Sequence, residues 1–312
     1  MSEVTALPLP EATAVATTPR AHVPRTVGLV VHPSRSVEQP LRVLREWAEE
    51  HGTKVVQAPA SCNQRRVADE GDPAQSDLIV SIGGDGTTLA ALRTGAVAGR
   101  PVLGIACGSL GALATVSVRD ARPSLERFSR GEWHPRRFPA LSIDRGAGAD
   151  RFALNDVTVL RSAGGQVRMT VRVNGGIYAR IAGDGAVIST PIGSSGYGIS
   201  AGGPLLASAL EGFVFTPLPK HGGFAPPLVV DAATELVLEV TQGFGGGRLE
   251  IDGQVADEHV GSLRIGLQRD VATMVAFPDQ ESLLAGLRRR GIILDSPRMV
   301  VDADRALDSG AP

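Results

Sequence analysis

Cysteine is scarce in this chain: Cys62 and Cys107 are the only two in 312 residues. They show no pairing pattern, which argues against a disulfide framework and a zinc site and leaves both as small packing residues. Excess positive charge is missing as well. Lysine and arginine total 31 against 33 aspartates and glutamates, a formal charge of -2, so no nucleic acid is held through bulk charge and only a local patch would serve. No apolar run reaches the ~18 residues of a membrane span. The first residues lack the basic and then apolar regions of a signal peptide, so the expected location is cytoplasmic. No internal repeat is visible. Core material, in contrast, is abundant: 43% hydrophobic and 21% charged residues describe a globular protein of one large domain or two ordinary ones.

Residues 1–25 mix Ala, Thr and Pro without periodicity and read as a disordered extension. TVGLVVHP (26–33) reads as a buried first strand ending at a proline. PLRVLREWAEEHG (40–52) reads as a helix opened by Pro40 and stopped by Gly52, with KVVQAP after it as a second strand. DLIVSIGG (77–84) is a third strand that runs into a glycine turn, TTLAALRTGAVAG the next helix, and PVLGIA (101–106) a fourth strand. Strands alternating with helices over 26–139 predict a parallel sheet covered on its faces. Over 140–276 the runs become short and alternating, as in RFALNDVTVLR and RLEIDGQ, and predict a mostly antiparallel β domain. Residues 277–300 are expected to return to the first domain, helical over 277–290, and 301–312 read as a loose tail. The fold class is therefore α/β plus β.

SIGGDGTTLAAL (81–92) sets one carboxylate, Asp85, among three glycines. A strand, a glycine turn and a helix collect phosphate, because backbone N–H groups and the positive helix end point at one place. The stretch is not a Walker loop, since its lysine and spacing are absent, nor a dinucleotide fingerprint, since Leu89 stands at the third glycine position. A carboxylate there repels phosphate unless it has another task. It accepts a proton from an attacking hydroxyl, or it organises a metal beside the phosphates. The plainer alternative is a tight turn in which Asp85 bonds its own backbone. Two further polar clusters speak against loop composition alone: LNDV, with Asn155 and Asp156 at a strand edge, and AGDGAVISTPIGSSGYGISAGGP (182–204).

In this order, G-G-D-G-T, L-N-D-V, the long glycine-serine motif and then D-G-Q, the chain resembles the NAD kinase family over roughly residues 26–290. The resemblance implies a Rossmann-like N-terminal α/β domain followed by a β-rich C-terminal domain, with the site between them. It implies transfer of the γ-phosphoryl group of ATP, or of polyphosphate, with Mg2+ accompanying ATP, to the 2′-hydroxyl of NAD. It makes Asp85 the catalytic residue facing the acceptor hydroxyl, with Gly83, Gly84, Gly86 and Thr87 shaping the donor-phosphate turn. Asn155 and Asp156 match the family's acceptor-contacting pair. Asp184 matches the aspartate that reaches the nicotinamide end from a neighbouring subunit, which implies a homo-oligomer, a dimer or tetramer. Ser195, Gly196 and Tyr197 fall on positions lining the acceptor pocket, and Ser200 follows. Tyr197 also reads as a packing residue and Asp252 of D-G-Q as a hairpin turn residue. No residue is assigned as a metal ligand.

Several positions depart from the family pattern. Ala106, Ser109 and Ala112 stand where the family has Asn, Arg or His, and Phe. Ile192, Ser195 and Gly196 alter the long motif, and Pro226 replaces an arginine five residues after the retained His221. An intact catalytic turn beside a thinned acceptor wall leaves a second reading, the same chemistry on another nucleoside or nucleoside-like acceptor. A third is a nucleotide-binding regulator without turnover.

Overall fold

The alternation of β-branched runs with helical spacing becomes, in the computed structural model, β1 (Thr26–Val31), α1 (Glu38–Glu50), β2 (Lys54–Gln57), β3 (Leu78–Gly83), α2 (Asp85–Ala98) and β4 (Val102–Ala106). The structure describes residues 19–59, 65–146, 151–162, 164–241 and 246–297. Cys62, residues 1–18 of the amino-terminal extension and the tail over 301–312 lie outside the described residues. Strands β2, β1, β3 and β4 pair in parallel in that order. Side chains alternate across this sheet, as a strand's period of two requires. Leu29, Leu78 and Val80 meet Leu44 and Trp47 of α1 on one face. Val30 and Ile79 meet Leu89 and Leu92 of α2 on the other.

The chain continues through α3 (Ala121–Ser129), which buries Leu125 and Phe128 beside α1, into β5 (His134–Asp144), β6 (Arg151–Ala153) and β7 (Asp156–Arg161). Then come β8 (Val167–Val173), β9 (Gly176–Gly183), β10 (Gly185–Ser189), α4 (Tyr197–Ser200), β11 (Gly212–Pro217) and β12 (Leu228–Asp231). Last are β13 (Leu236–Thr241), β14 (Gly247–Ile251), β15 (Gln254–Asp257), β16 (Ser262–Ala276) and α5 (Leu283–Arg289). A six-stranded antiparallel sheet runs in the order β12-β11-β10-β7-β14-β15. It packs Val157, Ile188, Phe213, Phe215 and Leu249 against Met169, Leu236, Leu238 and Ile265 of the other sheet, two inner faces forming one core.

The two halves share a sheet. Strand β16 pairs antiparallel with β13 and β5 and, through Met274 and Val102, parallel with β4, so the parallel strands continue into a ten-stranded sheet. Strand β5 runs across residues 139 and 140. Helix α2 packs beside Phe152, Leu154 and Ile192 of the β-rich half as well as on its own sheet. The helix that starts at the glycine turn is thus fixed against the segment that carries Asn155.

Candidate functional site

Strand β3 ends at Gly83, and Gly84, extended at φ -116 and ψ -165, is the N-cap that lets α2 begin with Asp85. A methyl group on Gly83 would overlap the Thr87 side chain, so the turn closes only with glycine there. Thr88 ties the turn down by donating to the Gly84 carbonyl at 3.1 Å and pairing with Ser81 at 2.9 Å. Asp85 in the first turn of α2 is favoured by the helix dipole.

The Asp85 carboxylate bonds a distant loop and not its own turn. Oδ1 accepts from the amides of Leu113 at 2.9 Å and Ala114 at 3.0 Å, and Oδ2 from that of Ala112 at 2.9 Å. Arg290 Nη1 donates to Oδ2 at 3.2 Å. Gly111 has no room for a side chain, because a methyl group there would overlap this carboxylate. Above it opens a cleft of about 350 Å³ lined by His32, Arg35, Asp85, Thr87, Ser109 and Arg290, with Gly84 and Gly86 in its floor. A methyl on Gly84 would stand 3.3 Å from Arg35 Nη1, so that guanidinium lies over the turn. His32 accepts at Nδ1 from the amides of Ser34 and Arg35, and burial, then Arg35, pull its pKa down. Two arginines, a helix start and bare glycine amides make a cleft for a polyanion.

Asp252 organises the second part of the site. It stands with Gly253 in the two-residue loop between β14 and β15, both at positive φ (48 and 74), as a type I′ hairpin demands. Its side chain points inward and is 2% exposed. Oδ1 accepts from the amides of Asn155 at 2.7 Å and Asp156 at 3.2 Å, and Oδ2 from that of Leu154 at 3.1 Å. Arg93 of α2 closes the set at 2.6 Å from Oδ2. The turn-residue reading of Asp252 and a site role therefore coexist.

The Asn155 carbonyl accepts from the Thr190 amide at 2.9 Å, and Thr190 Oγ1 donates to the Leu154 carbonyl at 2.7 Å. Gly193 lets the long motif approach, since a methyl there would overlap the Asn155 backbone. L-N-D-V and S-T-P-x-G-S thus form one unit. Ser195 Oγ turns to the Ile192 carbonyl at 2.9 Å and Ser200 Oγ to the Gly196 carbonyl at 3.3 Å. Asp156 is buried at the start of β7. Desolvation first, then the carboxylates of Asp252 and Glu250, push its pKa up to about 7. Tyr197 is half-exposed, and Glu250, Asp156 and Asp184 add to the burial that raises its hydroxyl. A second cleft of about 370 Å³ gathers Tyr197, Asp184, Arg161 and Arg248. Asp184, between β9 and β10, pairs there with Arg161 Nε at 2.7 Å.

The departing positions lie around these clefts. Ser109 lines the first, Ala106 is buried at the end of β4, and Ile192 packs with α2 and Leu154. Ala112 is half-buried, with its carbonyl 3.4 Å from an Arg136 guanidinium that lies over the Phe138 ring. The Pro226 carbonyl accepts from the Tyr178 hydroxyl at 2.6 Å.

Nothing in the local sequence marks Arg35, Arg93, Glu250 or Arg290. Arg93 sits in a helix and Arg290 in the run LRRR, where cations ordinarily face water. Asp252 carried a signal in D-G-Q. Among the described residues, no group of three or more His, Cys, Asp or Glu could hold a metal ion, and no helix is long and apolar enough to cross a membrane.

Comparison with known proteins agrees with this geometry. The ATP-NAD kinase N-terminal domain matches residues 35–133, which contain the glycine turn, and the ATP-NAD kinase C-terminal domain matches residues 154–259, from Leu154 to His259. The NAD kinase of Geotalea daltonii is 33% identical over 257 residues, covering 80% of this chain and 87% of that protein. The crystal structure of an NAD kinase from Archaeoglobus fulgidus in complex with ATP superimposes with a TM-score of 0.64 at 26% identity, over 81% of this chain and 94% of that one. Yeast NADH kinase complexed with NADH shares the fold, with a TM-score of 0.73 at 18% identity over 87% of this chain and 89% of that one. With both halves matched, and with helix α2 tied to the L-N-D-V segment through Arg93 and Asp252, this chain belongs to the NAD kinase family.

Proposed function

We propose that the protein transfers the γ-phosphoryl group of ATP to the 2′-hydroxyl of NAD, giving NADP and ADP. The observation that carries this reading is Asp85, a carboxylate held by three backbone amides at the start of α2, in the floor of a cleft lined by Arg35 and Arg290. Donor phosphates are received by the amides around Gly83, Gly84, Gly86 and Thr87 and by the guanidinium groups. Asn155, Asp156, Asp184, Ser195, Gly196, Tyr197 and Ser200 form the acceptor side. Asp85 takes the proton of the 2′-hydroxyl as that oxygen bonds to the γ-phosphorus, and the bond from the γ-phosphorus to the β–γ bridging oxygen breaks.

Mg2+ fits such a site as a passenger on the donor phosphates, since it is usually held by one or two carboxylates and the phosphates and not by an all-protein cage. When bound it would neutralise phosphate charge. A homo-oligomer and a cytoplasmic location belong to the same reading, in which Asp184, in the surface cleft it shares with Tyr197, serves a neighbouring copy. Another nucleoside acceptor, or binding without turnover, is not favoured, given relatives named NAD kinase at 33% identity over most of the chain. The test is formation of NADP from ATP and NAD by the purified protein, with NADH and a nucleoside panel as rival acceptors and polyphosphate as rival donor.

A further inference from the structure

Three consecutive arginines close helix α5, Arg290 as its C-cap, and each has a different partner. Arg288 pairs with Asp295 at 2.8 Å. Arg289 pairs with Glu281 and donates to the Leu110 carbonyl at 3.1 Å, pinning the helix end to the loop that cradles Asp85. Arg290 donates from Nε to the Gly286 carbonyl at 3.2 Å and from Nη1 to Asp85 Oδ2 at 3.2 Å. It lies beyond both matched domains, which end at residues 133 and 259.

The four donors to Asp85 are not equivalent. Ala112, Leu113 and Ala114 give backbone amides from a loop closed on itself, Gly111 N–H donating to the Ala114 carbonyl at 2.9 Å. Those amides leave only if the loop unfolds. Arg290 is a partly exposed side chain that offers Asp85 one long bond; with Nε donating to the Gly286 carbonyl, its remaining Nη N–H groups can serve an anion in the same cleft. A phosphate group carries more charge than a carboxylate and accepts two guanidinium bonds in parallel, so a donor nucleotide outcompetes Asp85 for this arginine.

We infer that Arg290 is a catalytic residue that exchanges partners: it caps Asp85 before the donor arrives and moves to the transferring phosphoryl group when the donor binds. The exchange vacates the lone pair of Oδ2 that the acceptor hydroxyl needs, and it brings positive charge to where negative charge develops in the transition state. Asp85 then becomes an effective proton acceptor only beside a bound donor. This inference rests on the donor site proposed above.

The experiment measures ATP affinity by calorimetry without acceptor, NAD affinity separately, and turnover, for the wild type, Arg290→Gln, Arg290→Lys and Asp85→Asn. Arg290→Gln is expected to weaken ATP binding by ~10-fold or more and to cut kcat by ~10²–10³-fold, with NAD affinity and thermal stability kept. Arg290→Lys, with the charge but not the fork, should recover part of both losses. Asp85→Asn removes the competitor for the arginine and should tighten ATP binding. The inference is overturned if Arg290→Gln leaves ATP affinity unchanged, if it lowers ATP and NAD affinity equally, or if Asp85→Asn does not tighten ATP. A wild type that binds ATP with these mutational effects and yet forms no NADP would remove the proposed acceptor and leave the exchange standing.

Discussion

Arg93 Nη1 lies 2.6 Å from Asp252 Oδ2, and that ion pair joins the helix that starts at Asp85 to the segment that carries Asn155 and Asp156. Helix α2 starts at Asp85, and Arg93 follows eight residues on, about 12 Å along the axis. At its other end Asp252 holds the amides of Leu154, Asn155 and Asp156. The carboxylate is almost fully buried, so its charge depends on these four donors. Replacing Asp252 by Asn keeps the shape but turns an NH2 toward N–H groups. Unfolding free energy should fall by ~3 kcal/mol, in the range for breaking a buried pair, and KM for NAD should rise more than KM for ATP. Equal changes in the two KM values would mean that Asp252 only stabilises the fold.

The cradle around Asp85 makes its own prediction. Gly111→Ala places a methyl group where the carboxylate lies, so either the loop or Asp85 must shift. The expected outcome is a loss of ~10²-fold in kcat from misplacement of the carboxylate, with little change in NAD affinity. Normal turnover in Gly111→Ala would show that Asp85 need not sit where the amides hold it.

Asp156 gives a pH dependence. Burial and the nearby Asp252 and Glu250 carboxylates raise its pKa from 3.8 to about 7. In the pH window between those values the folded protein keeps a proton that the unfolded chain releases. The stability tied to that proton is complete below pH 3.8 and is lost as pH rises through about 7. Asp156→Asn carries no such proton. Relative to the wild type, its unfolding free energy should therefore climb between pH 5 and pH 7, by up to ~1.4 kcal/mol per pH unit. Parallel stability curves for the two proteins would refute the assigned burial of this carboxyl.

The local parts of the site are plain in the sequence, and the joints between them are not. The glycine turn, the Asn155–Asp156 pair and the 182–204 motif each read from a few adjacent residues, because glycine spacing and strand period are local properties. Arg93 and Asp252 are 159 residues apart, and Arg290 and Asp85 are 205 apart. No periodicity links such pairs. D-G at 252–253 reads as a hairpin, and it is one; that its side chain turns inward to three amides depends on what β14 packs against. The same limit hides the shared sheet, since β16 alternates like any antiparallel strand and only its partners β4 and β5 reveal the junction. Helix α3, short and rich in arginine and serine, is set by the burial of Leu125 and Phe128 beside α1.

The most direct measurement is the rate of NADP formation from ATP and NAD by the wild type and by Asp85→Asn, with ATP affinity determined for both. The expected result is NADP and ADP in equal amounts from the wild type, and a ~10²–10⁴-fold lower kcat for Asp85→Asn although that variant binds ATP more tightly than the wild type. No NADP from the wild type, or near-normal kcat in Asp85→Asn, would contradict it.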